Sequence, residues 1–297
     1  MATVSRPRRS VLYMPGSNAR ALEKARGLAA DGLILDLEDA VAPDAKDEAR
    51  RLVVAALAAG GYGRRELLVR VNGLSTPWFR ADVAAAATSG ADAILIPKVE
   101  SGDAVRQVAA IMEAAGAPAE MAIWCMMETP RGILRAEEIA QASPRLGGFV
   151  MGTSDLAKDL HAAHTPLRLP MLTALSLCVL AARAYGLAAI DGVHLDLDDA
   201  EGFEAACRQG LELGFDGKTL IHPKTIEAAN RVFAPSEAEL AWSHRIIAAH
   251  GEAAAKGQGV AVVDGKLVEN LHVENARRIV ALAERIAALT ADLGGAA

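Results

Sequence analysis

The stretch GLILDLEDAV, residues 32–41, decides the fold. Side chains of a β-strand alternate between its two faces, so Leu33, Leu35 and Leu37 share one face while Ile34, Asp36 and Glu38 share the other. One face is greasy throughout; the other begins apolar and turns acidic toward its carboxyl end. The same split groups Leu68, Arg70 and Asn72 in ELLVRVNG, residues 66–73, and Trp124, Met126 and Glu128 in AIWCMMETP, residues 122–130. In AILIPKVE, residues 93–100, it assigns Ile94, Ile96, Lys98 and Glu100 to the face that becomes charged. Within each of these groups the charge comes late.

Outward from these four, the runs SVLYMPG (10–16), GGFVMGTSDL (147–156), AAIDGVHLDL (188–197) and DGKTLIHP (216–223) complete a set of eight. Ala-rich stretches with helical periodicity separate them. Their mean spacing is about 29 residues, close to the roughly 31 expected when about 250 residues are divided among eight strand–helix units. The sequence therefore predicts an α/β fold, a TIM (β/α)8 barrel, whose enzymes place their chemistry at the carboxyl ends of the strands. A doubly wound open sheet is the rival. It would carry a Gly-rich phosphate turn after its first strand, and PGSNAR (15–20) is not G-x-G-x-x-G. The barrel is placed at residues 1–235. Residues 236–297 form a C-terminal arm expected to pack on a neighbouring subunit: a helix over 237–255, a hairpin around Asp264 and Gly265, and a second helix over 272–289.

Composition narrows the function classes. Of 297 residues 52% are hydrophobic and only 4% aromatic, so the core is built from small and aliphatic side chains, and disorder is excluded. Thirty-one Lys and Arg against 37 Asp and Glu leave a formal charge of −6, the wrong sign for holding nucleic acid by bulk attraction. Cys125, Cys178 and Cys207 are widely spaced and flanked by apolar residues, which reads as buried thiols in a reducing compartment rather than a zinc site. The apolar stretch after the basic amino terminus soon meets Pro15 and Gly16, too early for a signal peptide. Thr173, Ser176 and Arg183 interrupt the most membrane-like window, at 171–190, and Gly186 breaks it, so a buried helix is expected there. The expectation is a cytoplasmic protein with no nucleic-acid or membrane partner.

A barrel brings Glu128 and Asp155, after the fifth and sixth strands, to one rim, where two carboxylates repel. A hard cation relieves that repulsion, and Mg2+ takes one or two protein carboxylates while leaving its other positions to water and substrate. The alternative is structural, with Asp155 capping the following helix and Glu128 pairing with Arg131. Arg70, on the same rim, carries a planar, permanently charged fork suited to a carboxylate or keto-acid, and is equally suited to pair with Asp36 or Glu38. The two roles are compatible. Arg20 and Lys24, four apart at the start of the first helix and near Arg9, make a basic patch for a phosphorylated ligand or a solvated helix face. Lys98, among acids, is expected to stay protonated and so to be a poor Schiff-base nucleophile. His161, His164, His194 and His222 are not at metal-ligand spacing and are assigned no chemistry.

RSVLYMPG, LDLEDAV, VRVNG, METPRGI, GTSDL and IHP occur in this order at compatible spacings. With them the chain resembles, over most of its length, the citrate lyase β-subunit-like branch of the HpcH/HpaI aldolase and citrate lyase family. The resemblance implies a TIM barrel, a homotrimer or hexamer of trimers, and Mg2+-dependent cleavage or formation of a carbon–carbon bond in acyl-CoA esters of hydroxy acids. It makes Glu128 and Asp155 the metal ligands and brings Arg70 to the keto-acid product, with Thr129 and Pro130 as substrate-binding positions. Asp36 and Glu38 belong to the surrounding acidic group, and Arg20 and Lys24 to the coenzyme A phosphates. In the family an arm aspartate, in a string like G-K-M-V-D-x-P, enters the neighbouring subunit's site as an acid/base; here GKLVENLHVENA puts Glu269 in its place, one methylene longer. The implied reaction is reversible Claisen-type cleavage of a 3-hydroxyacyl-CoA such as malyl-CoA or citramalyl-CoA to a keto-acid and an acyl-CoA, Glu269 transferring the proton. Hydrolysis of malyl-CoA and the work of a citrate lyase β-type subunit on an acyl-carrier-protein thioester are the alternatives.

Overall fold

Eight parallel strands close into one barrel in the computed structural model, which describes residues 6–294. They are β1 (Ser10–Pro15), β2 (Gly32–Asp36), β3 (Glu66–Arg70), β4 (Ala93–Ile96), β5 (Ala122–Met127), β6 (Leu146–Met151), β7 (Ala188–Asp191) and β8 (Gly217–Leu220). Neighbours in sequence are neighbours in the sheet, and β1 pairs with β8 to complete the ring. Asp36 and Arg70 are the last residues of β2 and β3, whereas Glu128 and Asp155 follow the ends of β5 and β6 on the carboxyl-terminal rim.

Two apolar layers confirm the alternation read from the second strand. Leu33, Leu35 and Leu37 pack outward against the helices. Ile34, Leu68, Trp124 and Met126 fill the barrel interior. The fourth strand corrects the sequence reading: Ala93 and Leu95 face inward, while Ile94 and Ile96 join the outer layer. Pro97 has no N–H to continue the ladder, and Lys98 adopts φ 52°, so the period of two does not carry through to its side chain.

The interior is filled without a gap beside Trp124, because a Cβ on Gly148 of β6 would lie 2.6 Å from the indole ring. Below it, at the amino-terminal end, Arg8 stacks on the indole at 5.1 Å and donates to Glu66 at 2.9 Å. Arg9 makes two 2.8 Å bonds to Asp31 through its side chain. This too is a correction, since Arg9 is buried and committed at the end of the barrel opposite the rim and does not belong to a basic patch with Arg20 and Lys24.

Outside β7, fully buried Asp191 accepts from Arg168 Nη1 at 2.7 Å and from Lys218 Nζ at 2.8 Å. Burial alone would raise its pKa, but Lys218 and Arg168 together hold it below the usual carboxylate range. The three cysteines are buried and unbridged, and burial pushes Cys178 and Cys207 up to about 12. Such thiols are inert.

A second compact unit begins at Ala234. Its helix Glu237–Ala255 starts with a capping box, Ser236 and Glu239 each bonding the other's backbone N–H. The hairpin of β9 (Ala261–Val263) and β10 (Lys266–Val268) turns through Asp264 at φ 48° and Gly265 at φ 74°, the two positive values a tight type I′ turn demands. Helix Asn270–Gly294 follows. Ile246, Val263, Val268, Val273 and Ala276 form this unit's own core. Among the described residues no helix is long and apolar enough to cross a membrane.

A carboxylate whose folded pKa is depressed stabilises the fold above its unfolded value, near 3.9, and loses that contribution as pH falls through the folded value. Asp191→Asn strands the buried ammonium of Lys218 and the partly buried guanidinium of Arg168 and is expected to cost about 3–5 kcal/mol at pH 7. Urea unfolding measures it: the gap to wild type should close as pH drops below about 4, and a cost under about 1 kcal/mol at pH 7 would show the triad to be of little consequence.

Candidate active site

Asp36 and Arg70 end adjacent strands in register, which sets a carboxylate directly beside a guanidinium. Arg70 Nε donates to Asp36 Oδ1 at 2.7 Å and Nη2 to Oδ2 at 2.6 Å, a bidentate fork that fixes the arginine's plane. The same carboxylate accepts from the N–H groups of Glu38 and Ala40, turning the chain back over the strand end. Lys46 Nζ and Asn72 Nδ2 fasten this turn by donating to the carbonyl of Leu37. Arg70 lies over the Tyr13 ring at 4.9 Å, and its remaining nitrogen Nη1 is 3.0 Å from Glu38 Oε2 without hydrogen-bond alignment. Burial opposes the charge on Arg70, but the bond to Asp36 outweighs it and keeps the guanidinium ionised.

Glu128 follows β5 and is 2% exposed. One oxygen accepts from the backbone N–H of Lys98 at 2.7 Å. The other lies across Gly152, where a Cβ would come within 2.3 Å of it; only glycine leaves that space. Burial pushes the Glu128 carboxyl up to about 7, with Glu38 adding to the shift and Lys98 offsetting part of it. Asp155, the third residue of helix Thr153–Asp159, is half-buried nearby. Lys98 Nζ links the acids, 2.5 Å from Glu38 Oε1 and 3.5 Å from Asp155 Oδ2. Burial works against its charge, yet the bond from Glu38 and the charges of Glu38 and Glu128 hold it well above the ordinary lysine value, so it is the protonated amine the sequence suggested. Its part in seating Glu128 was missed, because that depends on a positive φ that nothing in the local residues announces.

Tyr13, Arg70, Glu128 and Asp155 line one cavity of about 390 Å3. Gly152 rather than Asp155 occupies the helix cap, with no side-chain capping bond, and Arg131 lies 3.9 Å from Glu100. Both structural alternatives for the carboxylates are thereby removed. Arg70 is clamped by Asp36, as its structural reading expects, and also lines the cavity. Among the described residues no group of three or more His, Cys, Asp or Glu is arranged to hold a metal ion. A cation here would take two protein carboxylates and complete its shell with water and substrate oxygens. That is the habit of Mg2+, and a buried carboxyl short of compensating positive charge fits it.

The other sequence-predicted residues are dispersed. Thr129 caps helix Pro130–Leu134, its Oγ1 accepting from Gly132 N at 3.1 Å, and neither Thr129 nor Pro130 lines the cavity. Arg20 and Lys24 are exposed on helix Ala19–Ala25, just beyond β1. Glu269 is exposed in the second unit, its N–H donating to His272 Nδ1 at 3.1 Å.

The family model described as HpcH/HpaI aldolase/citrate lyase matches residues 9–223. Over 98% of its length the chain is 56% identical to the whole of a (3S)-malyl-CoA thioesterase from Cereibacter sphaeroides KD131. Over 97% it is 37% identical to 98% of an L-malyl-CoA/beta-methylmalyl-CoA lyase from Cereibacter sphaeroides ATCC 17029. Among solved structures, CitE from Mycobacterium tuberculosis in complex with magnesium, acetoacetate and coenzyme A is 28% identical with a TM-score of 0.75, covering 96% of this chain and 100% of that one.

The space over Gly152 can be tested by one change at two places. Gly152→Ala collides with Glu128 and should cost about 1–3 kcal/mol. Gly251→Ala, in an exposed helix position with nothing within 4 Å, should instead stabilise by about 0.4–1 kcal/mol. Denaturant midpoints of the two variants moving the same way would contradict the packing described.

Proposed function

We propose that this chain, which belongs to the HpcH/HpaI aldolase/citrate lyase family, is a Mg2+-dependent enzyme that hydrolyses a 3-hydroxyacyl-CoA of the malyl type. The observation that carries this reading is a clamped guanidinium and, among the carboxylates in the wall of the same cavity, the pair Glu128 and Asp155. A hydroxy acid offers a carboxylate for the first and hard oxygens for a cation on the second. Glu128 and Asp155 would hold Mg2+, which when bound supplies Lewis-acid polarisation of a substrate oxygen. Arg70 binds the substrate's carboxylate, and Asp36 fixes the plane in which it does so. Glu38 is a positioning residue, tethering Lys98 and approaching Arg70 without reaching the cavity wall. Arg20 and Lys24 take the coenzyme A phosphates. In hydrolysis a water oxygen bonds to the thioester carbon, the carbon–sulfur bond breaks, and the thiol leaves with a proton.

The resemblance put carbon–carbon cleavage first. The relative at 56% identity is a thioesterase and the lyase stands at 37%, which supports the reverse order. Glu269 in place of the family aspartate supports it too, because displacing a proton-transfer group by about 1 Å can cost about a hundredfold in rate. Cleavage is the second reading, favoured by family membership and by Arg70. It needs the carbon of the departing enolate to be protonated, a step assigned to Glu269 from a neighbouring copy in a trimer or hexamer.

Purified protein given malyl-CoA and Mg2+ should release free thiol and malate in equal amounts. Removing the metal with a chelator should stop turnover and Mg2+ should restore it. Arg70→Lys, which cannot form the planar fork, should lower kcat/KM by about a hundredfold. Glyoxylate and acetyl-CoA accumulating without free thiol would replace this reading with the lyase.

A further inference from the structure

Alternate strands of a parallel barrel supply the side chains of one interior layer, and β1, β3 and β5 bring Tyr13, Arg70 and Met126 together in the wall of the cavity. Tyr13 Oη and Arg70 Nη1 each approach the Met126 sulfur at 3.7 Å. A thioether is a weak acceptor, so two strong donors converge on a partner that satisfies neither. For the Tyr13 hydroxyl that sulfur is the only hydrogen-bond partner among the described residues. Val11 and Tyr13 share the inward face of β1. Val11 is buried, whereas Tyr13 keeps part of its surface accessible, and from inside the barrel that surface opens on the cavity it lines.

The charge around Arg70 gives a second donor its importance. The fork of the guanidinium is committed to Asp36, and the remaining nitrogen, Nη1, has Glu38 Oε2 at 3.0 Å and Asp39 Oδ2 at 3.6 Å. With its charge so largely answered, Arg70 offers an arriving carboxylate little net attraction, and affinity there rests on directed hydrogen bonds. A neutral hydroxyl adds one without disturbing the balance of charge. Burial holds the Tyr13 hydroxyl above the ordinary phenol value, outweighing the opposing pull of Arg70, and Asp36 and Glu128 act in the same direction as burial, so at pH 7 it is a protonated donor. Arg70 lies over the Tyr13 ring at 4.9 Å, a cation–π contact that holds the two donors in a fixed relation.

We propose that Tyr13 is a substrate-binding residue that sets specificity: its hydroxyl leaves the Met126 sulfur and donates to the same substrate carboxylate that Arg70 binds. Together the two donors select an acyl group with a carboxylate on its hydroxyl-bearing carbon. This deepens the function proposed above and rests on it for the identity of the thioester.

Tyr13→Phe removes the hydroxyl and keeps the ring beneath Arg70. Malate titrated calorimetrically into the full-length protein with Mg2+ should bind this variant about tenfold more weakly than wild type, the loss expected of one hydrogen bond to a charged group. Met126→Leu conserves volume and deletes the same sulfur contact from its other side, so it should bind malate at least as tightly as wild type. Equal losses in the two variants would mean that the hydroxyl acts only by holding Met126, and the proposal would be overturned. It is overturned as well if wild type binds no malate or if Tyr13→Phe leaves the affinity unchanged. With malyl-CoA, Tyr13→Phe should raise KM about tenfold and leave kcat within about twofold, the pattern of a contact made equally in ground and transition states. A fall in kcat at constant KM would instead place the hydroxyl at the reacting thioester, against the proposal. If malyl-CoA is turned over by neither route, the proposed function fails while the malate titrations still decide the role of Tyr13.

Discussion

Repulsion among carboxylates gathered at one end of a barrel is the constraint on which the rest of the rim depends. Asp36, Glu38, Asp39, Glu128 and Asp155 stand there with Arg70 and Lys98 set among them. Parallel closure forces this proximity, because consecutive strands deliver their carboxyl ends to the same face. Each cation answers more than one acid, and the acid left least compensated is Glu128, which burial lifts furthest toward neutrality. A divalent ion is the natural complement to that shortfall, and this links the electrostatics of the fold to the chemistry proposed for it.

Much of this was legible in the chain. Alternation in the second, third and fifth strands gave the right inward faces because those strands stay regular up to the polar residue or one short of it. The fourth misled because Pro97 ends the ladder and a positive φ at residue 98 swings the lysine inward; strand periodicity has no term for such a turn. Arg9 looked like a neighbour of Arg20 because sequence proximity hides that β1 runs the length of the barrel between them. The Asp264–Gly265 hairpin was readable because its turn chemistry is local. Glu128 and Asp155 could be placed on the rim from their position after strands. The clearance over Gly152 was invisible, since it depends on two strands distant in sequence.

Helix Thr153–Asp159 serves the cavity directly, with Thr153 and Asp155 both in its wall. The loop beyond this helix is strapped down by Arg168, whose charge is fully spent on a structural pair. Rigidity on that side therefore comes from buried ions and on the β2 side from backbone turns fastened by Asp36, Lys46 and Asn72. Neither device draws on Glu128 or Asp155, which leaves those two acids available for a ligand.

Lys98 holds Glu128 through its main-chain N–H and meets Glu38 and Asp155 through its side chain. Main-chain contacts survive replacement of the residue that makes them. Over evolutionary time, position 98 can thus drift from lysine to a neutral residue tolerant of that bent backbone, asparagine or glycine, altering the local field while the seat of the acid persists. Descendants of this scaffold have there a dial for new substrates that does not require rebuilding the cradle.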